Sequence, residues 1–77
     1  MEIKTKLGLR IKAIREMASM SQKDLAYSAD LDRSYIASVE SGQRNVSIVN
    51  IEKIASALGV SVQEFFNDIS FNEKKEN

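Results

Sequence analysis

The 77-residue sequence predicts an all-α fold, a compact bundle of five short helices, and three observations predict it. The chain has no proline and only three glycines, Gly8, Gly42 and Gly59. Its apolar residues recur at three- and four-residue spacing, with no alternating strand pattern. Ser21, Ser47 and Ser61 each precede such a run, where a hydroxyl can accept from the free amides of a helix N-terminus.

Helix one is predicted from Ile3 to about Ala18, with Ile3, Leu7, Ile11, Ile14 and Ala18 on its apolar face. Ser21 caps helix two, roughly Gln22 to Ala29, and Asp24 can answer it as a capping box. That helix buries Leu25, Ala26 and Ala29. Asp30 occupies the turn, and Asp32 is the cap candidate for helix three, Arg33 to about Ser41. Ile36 and Val39 point inward there, with Tyr35 and Glu40 at the edge. Gly42 follows where a left-handed terminator is required. Helix four begins after Ser47, carries Ile48, Ile51, Ile54, Ala55 and Leu58 on one face, and stops at Gly59. Ser61 and Glu64 form a capping box for a fifth helix bearing Val62, Phe65, Phe66 and Ile69. Residues 1–71 read as one domain, and 72–77 as a polar, frayed tail.

Composition excludes several functional classes. There is no cysteine and no histidine, so disulfides, thiolate metal sites and the commonest catalytic base are missing. No phosphate-cradling glycine loop or paired carboxylate motif is present, and neither enzyme activity, a metal nor a cofactor is expected. No apolar run is long enough for a signal peptide or a membrane span, so a cytoplasmic protein is expected. Eleven basic and eleven acidic residues give zero net charge, which is poor support for nucleic-acid binding. The distribution is uneven, however. Lys4, Lys6, Arg10, Lys12 and Arg15 face only Glu2 and Glu16 at the N-terminal end, whereas Glu64, Asp68, Glu73 and Glu76 outnumber Lys74 and Lys75 at the other. A neutral chain can still bind DNA if its few cations meet the phosphates.

The run Ser21–Ser41 admits two readings: two amphipathic helices of any small bundle, or a helix-turn-helix spanning about 22–41. The second needs a small residue where the helices touch, a turn residue that tolerates positive φ, and two apolar anchors on the second helix. Ala26, Asp30, and Ile36 with Val39 supply these, and Leu31 plugs the turn.

Over about Leu7 to Phe66 the chain resembles the lambda-repressor-like, Xre-type helix-turn-helix family, and within that family the stretch DLAYSADLDRSYIASVESGQRNVSIVNIEKIASALGVSVQEFF carries a closer match. LDRSYIASVE and RNVSIVNIEKIA most resemble the controller proteins of bacterial restriction–modification systems. Asp30, where relatives carry glycine, and Ser41–Gly42 before Gln43, where some are more basic, are departures. The resemblance implies a homodimeric transcription regulator on a palindromic operator. Its implied partners are double-stranded DNA and a second copy, with RNA polymerase as a third candidate. An antitoxin or anti-repressor acting through a protein partner, or a phage-type repressor, is the alternative.

Residue roles follow, each beside a plainer one. Arg33 and Ser34 open helix three and are base-reading candidates; an ion pair with Asp30 or Asp32 is the plainer role for Arg33. Ala37 shares their face and can meet a thymine methyl. Ser38 is a weaker candidate. Gln22 implies a phosphate contact and a brace to helix three, or else a solvated polar residue. Tyr35 either packs at the helix edge, reaches a phosphate or stacks on DNA, and the resemblance favours a DNA contact. Gln43, Arg44 and Asn45, with Ser47 nearby, form a loop that rides the backbone by resemblance, or is merely solvated. The resemblance also implies a structural ion pair between Arg15 and Glu40. For the apolar C-terminal region the expected division is Val62 and Phe66 inward, and Val49, Phe65 and Ile69 toward a twofold partner.

Overall fold

The computed structural model describes residues 2–72. Beyond Asn72 the expected frayed tail lies outside the described residues. The helices are α1 Ile3–Met17, α2 Gln22–Ala29, α3 Arg33–Glu40, α4 Ile48–Ala57 and α5 Val62–Phe65, followed by a 3₁₀ turn, Ile69–Phe71. The all-α expectation holds, with no strand among the described residues.

Side-chain caps define most helix starts. Ser21 accepts from Asp24 N at 2.9 Å while Asp24 accepts from Ser21 N at 2.9 Å. Ser61 and Glu64 repeat the arrangement at 3.0 and 2.9 Å. These bonds to the ionised form hold the Asp24 and Glu64 carboxyls below their ordinary range, the backbone amide of the serine being the larger cause. Ser47 accepts from Asn50 N at 3.1 Å. Asp32 occupies the cap position of α3, but its side chain makes no capping bond.

The helix ends share one solution. After α1, α2, α3 and α4 a residue turns left-handed: Ser19 (φ 58°), Asp30 (φ 57°), Gly42 (φ 79°) and Gly59 (φ 78°). The amide beyond it reaches back to close the end, as Gln43 N does to Ser38 O and Val60 N to Ala55 O, both at 3.0 Å. Ser19 was not legible as such a position, because serine has no marked tolerance of that conformation.

The core is built from Leu7, Ile11, Leu25, Ala26, Ala29, Ile36, Val39, Ile54, Ala55, Leu58 and Phe65. At the α1–α3 crossing Gly8 is buried, and a Cβ there would lie 2.5 Å from Val39 O and 2.6 Å from Glu40 O. The bare α-carbon therefore lets the two helices approach at backbone distance.

Some expectations are corrected. Ile3 and Ile48, placed on apolar faces, are 60% and 66% exposed, and Ala18 is exposed too, because these first and last turns project beyond the core. The fifth helix ends at Phe65 rather than running to Ile69. Arg10 enforces that stop. Its Nε donates to Phe65 O at 2.7 Å and its Nη2 to Glu64 O at 3.0 Å, satisfying carbonyls at the helix end. Asp68 then starts the 3₁₀ turn, accepting from Ser70 N at 3.2 Å and lying 3.7 Å from Arg10 Nη1. The Asp68 carboxyl sits below its ordinary range, chiefly through the Ser70 hydroxyl and amide.

Phe65 is the principal correction. Expected toward a second copy, it is 0% exposed and fills the centre of the core. Phe65, not Phe66, points inward, because packing against the other helices takes Phe65 into the core. Phe66 is half-buried, edge-on to Phe65 (5.0 Å, 86°) and to Phe71 (5.1 Å, 75°).

Candidate nucleic-acid interface

The α2–turn–α3 unit is assembled from the residues that its sequence pattern singles out. Buried Ala26 permits close contact of the helices. Asp30 takes left-handed backbone angles of 57° and 48°, and Leu31 N closes the turn onto Ala26 O at 2.9 Å. Leu31 packs against the core, and Ile36 and Val39 anchor α3 from within.

The outer side of α3 is left open. Arg33 and Ser34 are exposed at its first turn, and Ala37 is half-buried beside them. Among the described residues, Arg33 forms no ion pair with Asp30 or Asp32, so the plainer role for it is not realised. Gln43, Arg44, Asn45 and Ser47 are exposed in the loop that follows.

A buried ionic cluster holds α3 from behind. Arg15 Nε donates to Glu40 Oε2 at 2.6 Å and Nη2 to Oε1 at 3.0 Å, a bidentate pair. Arg15 Nη1 also donates to Met20 O at 2.8 Å. The hydrogen bond to Glu40 raises the Arg15 guanidinium above its ordinary value, with burial acting in the opposite direction. Gln22 Nε2 donates to Glu40 Oε1 at 3.1 Å, so Gln22 braces α3 through the same carboxylate. The resemblance-based pairing of Arg15 with Glu40 is thus realised in the geometry.

A second network joins α3, the loop and α4. The Arg44 guanidinium lies 5.4 Å from the centroid of the Tyr35 ring. Its Nε donates to Ser38 Oγ at 3.0 Å, and Ser38 Oγ donates to Tyr35 O at 2.7 Å. Asn50 Nδ2 donates to Tyr35 Oη at 3.0 Å. Tyr35 is half-buried and combines edge packing with a polar tip. Asn50 was not singled out in the sequence. Its position at the third residue of a capped helix signalled only the cap.

Val49 is 60% exposed and Ile69 87% exposed, consistent with surfaces that face outward, in contrast to Phe65. No group of three or more metal-ligating side chains occurs among the described residues. No helix among them is long and apolar enough to cross a membrane.

The profile of the helix-turn-helix family matches residues 11–65. Control protein C.MunI of Mycoplasma is 46% identical over 69 residues, covering 88% of this chain and 93% of its own length. The crystal structure of the restriction–modification controller protein C.AhdI from Aeromonas hydrophila matches with a TM-score of 0.79 and 48% identity, over 82% of this chain and 96% of that one. The C.Esp1396I controller tetramer in complex with its natural 35 base-pair operator matches with a TM-score of 0.81 and 41% identity, over 86% and 87% of the two chains. With the family profile spanning the core and the capped turn, and a relative matched almost end to end, this chain belongs to the helix-turn-helix family and, within it, to the restriction–modification controller proteins.

Proposed function

We propose that this chain is a sequence-specific DNA-binding regulator of transcription. It acts in the cytoplasm, without catalysis, as a homodimer on a palindromic operator of a restriction–modification system. The observation that carries the reading is the exposed first turn of α3, where Arg33 and Ser34 stand free while Glu40 is clamped from behind. N-terminal residues of a helix held in this way reach base edges in the major groove. Arg33 suits a guanine, whose O6 and N7 accept two hydrogen bonds, and Ser34 can serve either base type. Ala37 offers a methyl-sized contact. Gln22, Tyr35, Gln43, Arg44, Asn45 and Ser47 are assigned to the backbone. Val49 and Ile69 are assigned to the twofold contact, which sets half-sites roughly 34 Å apart, one turn of the duplex. The operator complex of a controller with 41% identity supports the choice of partner.

The test is competition binding on a duplex enriched from a random library by the wild-type protein. Arg33→Ala should weaken binding by about 1–3 kcal/mol and relax discrimination at one base pair of each half-site. Undiminished discrimination by that variant would refute the base-reading role. A stoichiometric protein partner from the source cell, together with no enrichment of any duplex, would favour the antitoxin-like alternative.

A further inference from the structure

The side chains of Ser38 and Asn50 have no place in the base-reading set, yet each is bonded to a residue that does face outward. Hydrogen-bond polarity limits what each partner has left to offer. A serine hydroxyl has one hydrogen, and that of Ser38 is committed to Tyr35 O at 2.7 Å. Toward Arg44, Ser38 Oγ can therefore only accept, and it takes the Nε hydrogen at 3.0 Å. The guanidinium carbon also lies over the Tyr35 ring, 5.4 Å from its centroid, a cation–π contact that holds the group in place. The terminal Nη groups are left as a fork of donors. Asn50 Nδ2 donates into a lone pair of Tyr35 Oη at 3.0 Å, so the phenol hydrogen is not used inward.

We propose that Ser38 and Asn50 are positioning residues that set Arg44 and Tyr35 as outward hydrogen-bond donors before DNA arrives, aimed at neighbouring phosphate oxygens of one strand. The proposal rests on the reading of this face as the DNA interface and adds to it how the backbone contact is prepared. Phosphates present only acceptors, which matches the hydrogens that the Arg44 Nη groups and the Tyr35 hydroxyl have left to offer. A free arginine loses many rotamers on binding, whereas one already bonded and held over a ring loses few. Neither side chain is needed for the fold. Ser38 lies within a helix where alanine is the better helix former, and the cap of α4 uses the backbone amide of Asn50, not its side chain.

Binding is measured with the library-enriched duplex and with an unrelated duplex of the same length, across a salt series. Ser38→Ala should weaken both duplexes by a similar factor, roughly 3- to 10-fold. Ser38→Thr, which keeps the hydroxyl, should restore binding. In an Arg44→Ala background the Ser38→Ala change should have no further effect, and Asn50→Ala should have none in a Tyr35→Phe background. Melting temperatures of all variants should stay near that of the wild type. Multiplying penalties in either double variant would overturn the proposal, as would wild-type affinity of Ser38→Ala beside a crippled Arg44→Ala. Wild-type affinity of Tyr35→Phe would overturn the phenol's outward role. Loss confined to the enriched duplex would move Arg44 to base reading and overturn the phosphate assignment. A wild-type protein that binds no duplex would overturn the DNA reading and this proposal with it.

Discussion

Replacing Gly8 by alanine tests whether backbone contact between α1 and α3 fixes the frame on which the interface is mounted. The added Cβ would stand 2.5 Å from Val39 O, 2.6 Å from Glu40 O and 2.8 Å from Glu40 C. All three are backbone atoms, so no side chain can rotate away. To restore ordinary contact of about 3.5 Å, α1 must withdraw by on the order of 1 Å. Overpacking of this kind costs about 1–3 kcal/mol, and the rigid neighbours place it at the upper end. Alanine returns about 1 kcal/mol through helix propensity. The net expectation is a loss of about 2 kcal/mol, or a melting temperature lower by roughly 10 °C for a domain this size. Withdrawal also stretches the 2.6 Å bond from Arg15, two turns further along α1, to Glu40, so DNA binding should fall along with stability. Thermal and urea unfolding followed by circular dichroism measure the effect. The sign decides: Gly8→Ala that melts at or above the wild-type temperature would mean that propensity dominates and that the close approach does not hold the fold.

Glu40→Ala leaves Arg15, 8% exposed as a residue, without its carboxylate partner, and should lower the urea-unfolding free energy by about 3 kcal/mol or more. Ser19→Gly removes a left-handed serine at φ 58° and should raise stability by about 0.5–1 kcal/mol in the same assay. The carboxyls of Asp24, Glu64 and Asp68 sit below their ordinary range in the folded chain, so their contribution is present above the unfolded-state values and lost as pH falls through the folded ones. Stability should accordingly hold from neutral pH to about 5 and decline below it, and Ser21→Ala with Ser61→Ala should flatten that decline in a pH series of unfolding curves. Ile69→Asp, at a side chain 87% exposed, should leave the melting temperature of dilute protein nearly unchanged and shift sedimentation toward the monomer, and an unchanged dimer would remove Ile69 from the contact.

Local rules made most of the fold legible. The serine caps, the glycine stops and the inward pairs such as Ile36 with Val39 are nearest-neighbour signals, and each element boundary came within a residue or two of its place, the fifth helix excepted. That helix misled because four apolar residues in eight allow more than one phase. Only tertiary contacts, with Phe65 driven into the core and Arg10 taking the carbonyls of Glu64 and Phe65, choose among them. Gly8 gave no signal of its role, because that role depends on a helix some thirty residues away. Within the candidate site, the exposure of Arg33 and Ser34 followed from helical phase alone. The links from Asn50 to Tyr35 and from Arg44 to Ser38 did not, since each joins elements whose relative placement no local pattern encodes.

The zero net charge, which weighed against nucleic acid in the sequence, loses its force once the arginines are sorted by what they touch. Arg10 gives its donors to the end of α5 and lies beside Asp68, while Arg15 gives its own to Glu40 and Met20. These two act inside the molecule. Arg33 and Arg44 remain on the surface, one at the start of α3 and the other in the loop after it. A protein built this way draws little from a long-range field and much from a few placed donors. Its affinity should therefore depend on salt less steeply than that of a strongly basic domain, because few counterions leave when few phosphates are neutralised. On the proposed reading, selectivity then rests on geometry: the hold on Glu40 by Arg15 and Gln22 sets where α3 and the exposed Arg33 stand, and a shift of α3 would move Arg33 without altering a single charge.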